Sequence, residues 1–318
     1  DPNISRIGIA MGLMPPRRKV QAVEASGKPR PDMSRIMDKT GIRAEPMATP
    51  EVSSTHVAQF VKPDNEYPSY ADFWRLVELS GYPVISQSRV NLDDPHAIYV
   101  WATPEAWPDV ANAQARCIGW DLEYAGEYTH DYGDWRGEVW VSDPHYASAT
   151  QQRFVLLGSH PDLAPAAATE LSEYEMTHPY DATMLGYMVE RRQAIKNKLA
   201  SLNWTLDYPG TGRRRHAVLS NTRLMLHVHQ HEDAPYAAPL RYALAAAYHM
   251  PVISEKLEDE GVYGGLMSFS TYDYIPRTVR RLLSEDERRA KLAQDLYQYL
   301  CVEHTFASEV EQTLLRGD

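Results

Sequence analysis

The sequence predicts an α/β fold of two Rossmann-like domains facing a cleft, with an irregular N-terminal arm and closing C-terminal helices. Three observations carry this expectation. Short apolar runs recur without polar alternation, as strands buried on both faces of a parallel sheet do. They form two series, separated by the proline- and alanine-rich stretch "SHPDLAPAAATELSE" (Ser159–Glu173). The 318 residues also suffice for two domains of about 100–200 residues each.

Taken in order, "RIGIAMGLM" (Arg6–Met14) can be a strand, but the "PPRRK" and "SGKPRPDMS" that follow are turn-like. Residues 1–65 are therefore assigned to the arm. In "YPSYADFWRLVELSGYPVIS" (Tyr67–Ser86), Phe73, Leu76, Val77 and Leu79 form the apolar side of a helix that Gly81 stops. "AIYVWA" (Ala97–Ala102), "RCIGWDLEY" (Arg116–Tyr124), "GEVWVSD" (Gly137–Asp143) and "RFVLLGS" (Arg153–Ser159) read as strands of a first domain spanning 66–165. A second domain, 166–300, opens with strand "TMLGYMV" (Thr183–Val189), helix "ERRQAIKNKLASL" (Glu190–Leu202) and strand "WTLDY" (Trp204–Tyr208). It continues with strand "RLMLHVHQ" (Arg223–Gln230), an alanine-rich helix from about Pro239 and strand "PVIS". "SFSTYDYIPRTVRRLLS" and the residues after it are expected to be helical, with 301–318 a terminal helix.

Composition narrows the function classes. The chain is 43% hydrophobic and 24% charged, an ordinary globular balance. Acids outnumber bases 43 to 32, so a polyanionic partner would need a local basic face. Two distant cysteines, Cys117 and Cys301, exclude a disulfide scaffold and a Cys/His finger, and fit a reducing, cytoplasmic setting. No run approaches the apolar length of a membrane span.

In open parallel sheets ligands sit beyond the carboxyl ends of the strands, and phosphates favour helix N-termini. That rule selects Arg191 and Arg192 after the first strand of the second domain, where guanidiniums can hold a pyrophosphate. It selects His229 and Gln230 after another strand, Arg241 in the first turns of the alanine-rich helix, and Glu255 at the end of its strand. A carboxylate at Glu255 can accept two hydrogen bonds from a ribose diol.

Three segments, "YDATMLGYMVERRQAIKNKL", "RLMLHVHQHEDAPYAAPLRYALAAAYHMPVISE" and "RCIGWDLEYAGEYTHDYGDWRGEVWVSD", resemble GT-B glycosyltransferases of the CgeB-like and group 1 type. The resemblance covers roughly residues 97–305. It implies a nucleotide-sugar donor, UDP-sugar foremost, bound by the C-terminal domain, an acceptor bound by the N-terminal one, and no metal or other cofactor. Residue by residue it implies Arg192 and Arg241 at the diphosphate, Glu255 at the nucleoside, and His229 and Gln230 lining the donor pocket. Relatives carry a glutamate one turn after the arginine; here that position is Leu244. Glu255 is the expected substitute.

On the acceptor side "GWDLEYAGEY" offers Asp121, Glu123 and Glu127. A carboxylate there can take the acceptor proton as the nucleotide diphosphate leaves. The resemblance favours Glu123, with Asp121 second; Asp143 and His145 are weaker candidates of the same kind. His227, His229 and His231 alternate as metal ligands can, although packed histidines are the commoner outcome in such a strand. "GTGRRRH" lacks P-loop spacing. The basic clusters 17–19, 213–215 and 277–281 motivate one alternative acceptor, a hydroxymethylated base in DNA. A second alternative is a nucleotide-sugar binding protein without catalysis, motivated by Leu244.

Overall fold

The computed structural model describes residues 57–64, 70–102, 107–122, 132, 135–164, 177–204, 213–232 and 236–316. Nearly all of the expected N-terminal arm, together with Glu123 and Glu127, lies outside them.

Among the described residues two parallel sheets form. The first has the order β2-β1-β3-β4-β5-β6. Its strands are β1 (Ala58–Lys62), β2 (Val84–Ser86), β3 (Ile98–Trp101), β4 (Arg116–Asp121), β5 (Glu138–Val141) and β6 (Arg153–Phe154). The second, order β10-β9-β8-β7, contains β7 (Thr183–Met184), β8 (Met225–His227), β9 (Val252–Glu255) and β10 (Ser268–Ser270). All registered pairs are parallel. The apolar runs read as two-face-buried strands are that: Val100, Trp101, Ile118, Trp120, Val252 and Ile253 are almost wholly buried.

Several strands differ from expectation. β1 lies within the stretch assigned to the arm, yet pairs with both β2 and β3 in the first sheet. β2 follows the predicted helix after Gly81. β10 falls where a helical segment was expected, because Ser268–Ser270 registers against Ile253–Glu255 of β9. β7 is shorter than the run Thr183–Val189, since the chain turns at Gly186 with φ 101°. Of the expected strand Trp204–Tyr208, Trp204 forms an isolated bridge with Ala182, and the remainder lies outside the described residues.

The helices are α1 (Ala71–Leu79), α2 (Pro144–Thr150), α3 (Glu190–Lys198), α4 (Arg213–Ser220), α5 (Pro239–Ala247), α6 (Ile275–Ser284), α7 (Asp286–Tyr297) and α8 (Phe306–Leu315). Helix α5 is the joint of the molecule. Seven of its nine residues are buried, among them Ala243, Leu244, Ala245, Ala246 and Ala247, in one apolar cluster with Phe60, Phe73, Trp120 and Trp140 of the first domain. Alanine suits this place because it packs closely and loses no side-chain entropy on ordering. Helix α8 returns to the first domain. Phe306 stacks on Trp120 at 5.6 Å, and Arg116 and Arg153 donate to the carbonyls of Leu314 and Thr313.

Candidate functional site

The carboxyl ends of β7, β8 and β9 bring Arg192, Arg241, Arg191, His229 and Glu255 together. The arrangement begins with backbone. After β7, Gly186 takes a left-handed conformation, and a Cβ there would stand 2.6 Å from Arg241 Nη2 and 3.1 Å from Arg192 Nη1. The missing side chain lets two guanidiniums close on one turn of main chain. Arg192, 3% exposed, donates from Nε to the Val228 carbonyl at 2.9 Å and from Nη1 to the Tyr187 carbonyl at 2.7 Å. It therefore fixes both loops that rim the site. Burial, then the neighbouring Arg241 and Arg191, pushes it down to about 9, against the counter-effect of Glu255. It still carries its charge at neutral pH. A buried cation beside other cations calls for an anion.

Gly186→Ala is expected to lower unfolding free energy by about 1–3 kcal/mol, the usual cost of such backbone strain, before any displacement of Arg241. Urea unfolding measures it, and an unchanged midpoint would show that the turn relaxes without strain.

Arg191 does different work. Its Nη2 and Nη1 donate to Glu255 Oε1 and Oε2 at 2.8 and 3.2 Å, and Nη1 also donates to the His229 carbonyl at 3.0 Å. Its guanidinium lies 4.4 Å from the Tyr272 ring centroid, and the Tyr272 hydroxyl donates to the Arg191 carbonyl. Glu255 Oε2 accepts a further bond from the His229 N–H at 3.0 Å. Glu255, expected as an open acceptor for a ribose diol, is 7% exposed with both oxygens engaged. The pair ties β9 to the start of α3 and to the turn after β8.

His229 is buried beside this pair, its Nδ1 3.6 Å from Glu255 Oε2, and its Nε2 has no hydrogen-bond partner among the described residues. Burial, with the three arginines and against the adjacent Glu255 carboxylate, pushes it down to about 4, so the ring is neutral at pH 7. His227 is neutral for the same reason, and its Nδ1 shares hydrogen bonds with the Tyr242 hydroxyl at 2.7 Å and Ser254 Oγ at 3.2 Å. β8 ends at His227, so the alternation suggested for three histidines stops there, and His231 is exposed. Gln230 is exposed in the same turn.

Across the cleft, Asp121 ends β4 and is buried, accepting from the Tyr132 hydroxyl at 3.0 Å. Asp121, Val141, Asp143, Tyr146, Ala237 and Pro239 line a small cavity between the first domain and the start of α5. His145 faces Tyr236 across the same junction, with ring centroids 6.2 Å apart. Arg215 of the basic cluster 213–215 is consumed by Asp72 on α1 at 2.6 Å. Arg277, Arg280 and Arg281 are exposed on α6, and residues 17–19 lie outside the described residues.

Sequence reasoning passed over Gly186 and Tyr272. A glycine just after an apolar run and four residues before "ERR" was the available signal for the first. The second lies just past the unrecognised strand β10, at the start of the short 3-10 turn Tyr272–Tyr274.

No protein-family profile matches the sequence, and no curated protein matches it. Solved structures do resemble it. Anabaena Alr3699/HepE, in complex with UDP and glucose, aligns with a TM-score of 0.56 at 10% identity, covering 83% of this chain and 100% of that one. Its complex with UDP-glucose gives 0.55 at 10% identity, over 81% and 99%. At this identity the likeness shows the fold, an α/β architecture with two parallel sheets.

Proposed function

We propose that the protein transfers a sugar from a nucleoside-diphosphate-sugar donor, UDP-sugar foremost, to a hydroxyl acceptor. The observation that carries this reading is the convergence of Arg192 and Arg241 on Gly186 at the carboxyl edge of the second sheet. In that reading the two guanidiniums hold the diphosphate, and their hydrogen bonds strengthen as negative charge grows on the departing phosphate oxygen. Arg191 and Glu255 keep the rim in shape. The fold supports the same reading, since HepE, which shares it, has been solved with UDP-glucose. Asp121, at a strand end across the cleft, is the described candidate to accept the acceptor proton; Glu123 remains the companion proposal from the sequence. The DNA alternative is weakened by the commitment of Arg215 to Asp72.

A thermal-shift screen with UDP-, GDP-, ADP- and TDP-sugars tests the proposal. A ligand at about a hundredfold excess over its Kd stabilises by about 2.7 kcal/mol, a shift of several degrees. Arg241→Ala is expected to abolish the shift while leaving the ligand-free melting temperature within a few degrees. Absence of any shift in the wild type would overturn the reading, and a full shift in Arg241→Ala would overturn the assignment of the diphosphate.

A further inference from the structure

Asp143 lies two residues past β5 and caps α2, its Oδ1 accepting from the Tyr146 N–H at 2.7 Å. That bond is local and needs only one oxygen. The other, Oδ2, accepts from the Ala237 N–H at 2.8 Å, across 94 residues and from one domain to the other. Ala237 stands two residues before Pro239, the first residue of α5, and four before Arg241. The carboxylate is 6% exposed, and burial raises its pKa against the hydrogen bonds that favour the charged form. Each oxygen is therefore engaged by a main-chain donor, which suits a clasp.

We propose that Asp143 is a positioning residue, a main-chain clasp that registers the start of α5, and with it Arg241, against the first domain. Two further contacts locate the same joint. Ser159 Oγ donates to the Ala243 carbonyl in the middle of α5 at 2.7 Å. Pro144, next to Asp143, lies so close to Gly261 that a Cβ there would stand 3.0 Å from its Cγ. Helix α5 is thus held at its start and at its middle by first-domain side chains, and the first of these holds is a carboxylate that no sequence pattern requires to reach that far. The consequence for ligand binding rests on the diphosphate reading of Arg241; the clasp itself does not.

The test uses the full chain with Asp143→Asn and Asp143→Ala. Asparagine keeps one acceptor oxygen for the cap and turns an N–H toward the Ala237 N–H. Hydrogen exchange of the ligand-free protein is expected to speed up at least tenfold at Ala237 in both variants, and at Tyr146 in Asp143→Ala alone. Calorimetry is expected to show the Kd for UDP weakened about tenfold in Asp143→Asn, with a smaller loss of melting temperature than in Asp143→Ala. Unchanged exchange at Ala237 in both variants overturns the clasp. Faster exchange with an unchanged Kd for UDP overturns its role in positioning Arg241. Faster exchange in a protein whose wild type ignores UDP upholds the clasp and removes the transferase reading instead.

Discussion

Glu255→Ala is expected to lower the unfolding free energy by about 3 kcal/mol. Removing one partner of a buried ion pair strands the other charge, at a typical cost of about 3–5 kcal/mol. The lower end applies because the Arg191 side chain keeps 21% of its exposure and can partly recover water. The loss goes beyond one pair, since the His229 N–H also loses its acceptor. Arg191→Met added to Glu255→Ala removes the stranded cation and is expected to recover much of the deficit. Urea unfolding of both single variants and the double variant forms the cycle. Additive losses would show that the two side chains do not depend on one another. The same reasoning explains why Arg241, and not Glu255, is the informative variant in the nucleotide screen: loss of binding in Glu255→Ala would follow from a collapsed rim alone.

What the sequence made legible, and what it did not, divides on physical lines. β3, β4, β8 and β9 were visible because strands buried on both faces are written as uninterrupted apolar runs. β10 was not, because "SFS" is short and half polar, and is held by its register with β9 more than by its own propensity. β1 was hidden by the polar, proline-bearing stretches around "AQFVK". In the site, Arg192 and Arg241 were found by a rule about strand ends, and both stand there. The pairing of Arg191 with Glu255 spans 64 residues, and no local pattern foretells which charges meet at such a distance. Glu255 was rightly placed at the carboxyl edge, but its partner changes its work: a carboxylate already holding an arginine and a main-chain N–H shapes a pocket wall before it can receive a ribose. Asp143 shows the same limit: it was placed after a strand as a weaker acceptor-side candidate, and its reach to Ala237 was not foretold.

The second large effect is a loss of stability in acid. His229 titrates at about 4 in the folded protein against an ordinary 6.5, because burial and three nearby guanidiniums disfavour its charged form. His227 is displaced in the same direction, well below its ordinary value. A base whose folded pKa is depressed contributes in full above its unfolded pKa. It loses that contribution as pH falls from about 6.5 toward 4, where the unfolded chain binds the extra protons. At about 1.4 kcal/mol per pH unit, His229 alone accounts for about 3 kcal/mol at the lower end, and His227 adds to it. Asp143 works against them. Its raised pKa favours the folded state as the carboxylate protonates, so its stabilising effect grows only at the acid end of the window. Urea midpoints between pH 7.5 and 4.5 are therefore expected to fall steeply below pH 6.5 in the wild type. His229→Gln, which cannot take up the proton, is expected to show a shallower fall in the same range. Parallel profiles would mean that the ring reaches solvent on protonation and that its burial carries no proton linkage. A shallower profile would confirm that His229 is held neutral in the folded protein, by burial first and the arginines of the rim second, so that the positive charge beside Gly186 is supplied by the arginines.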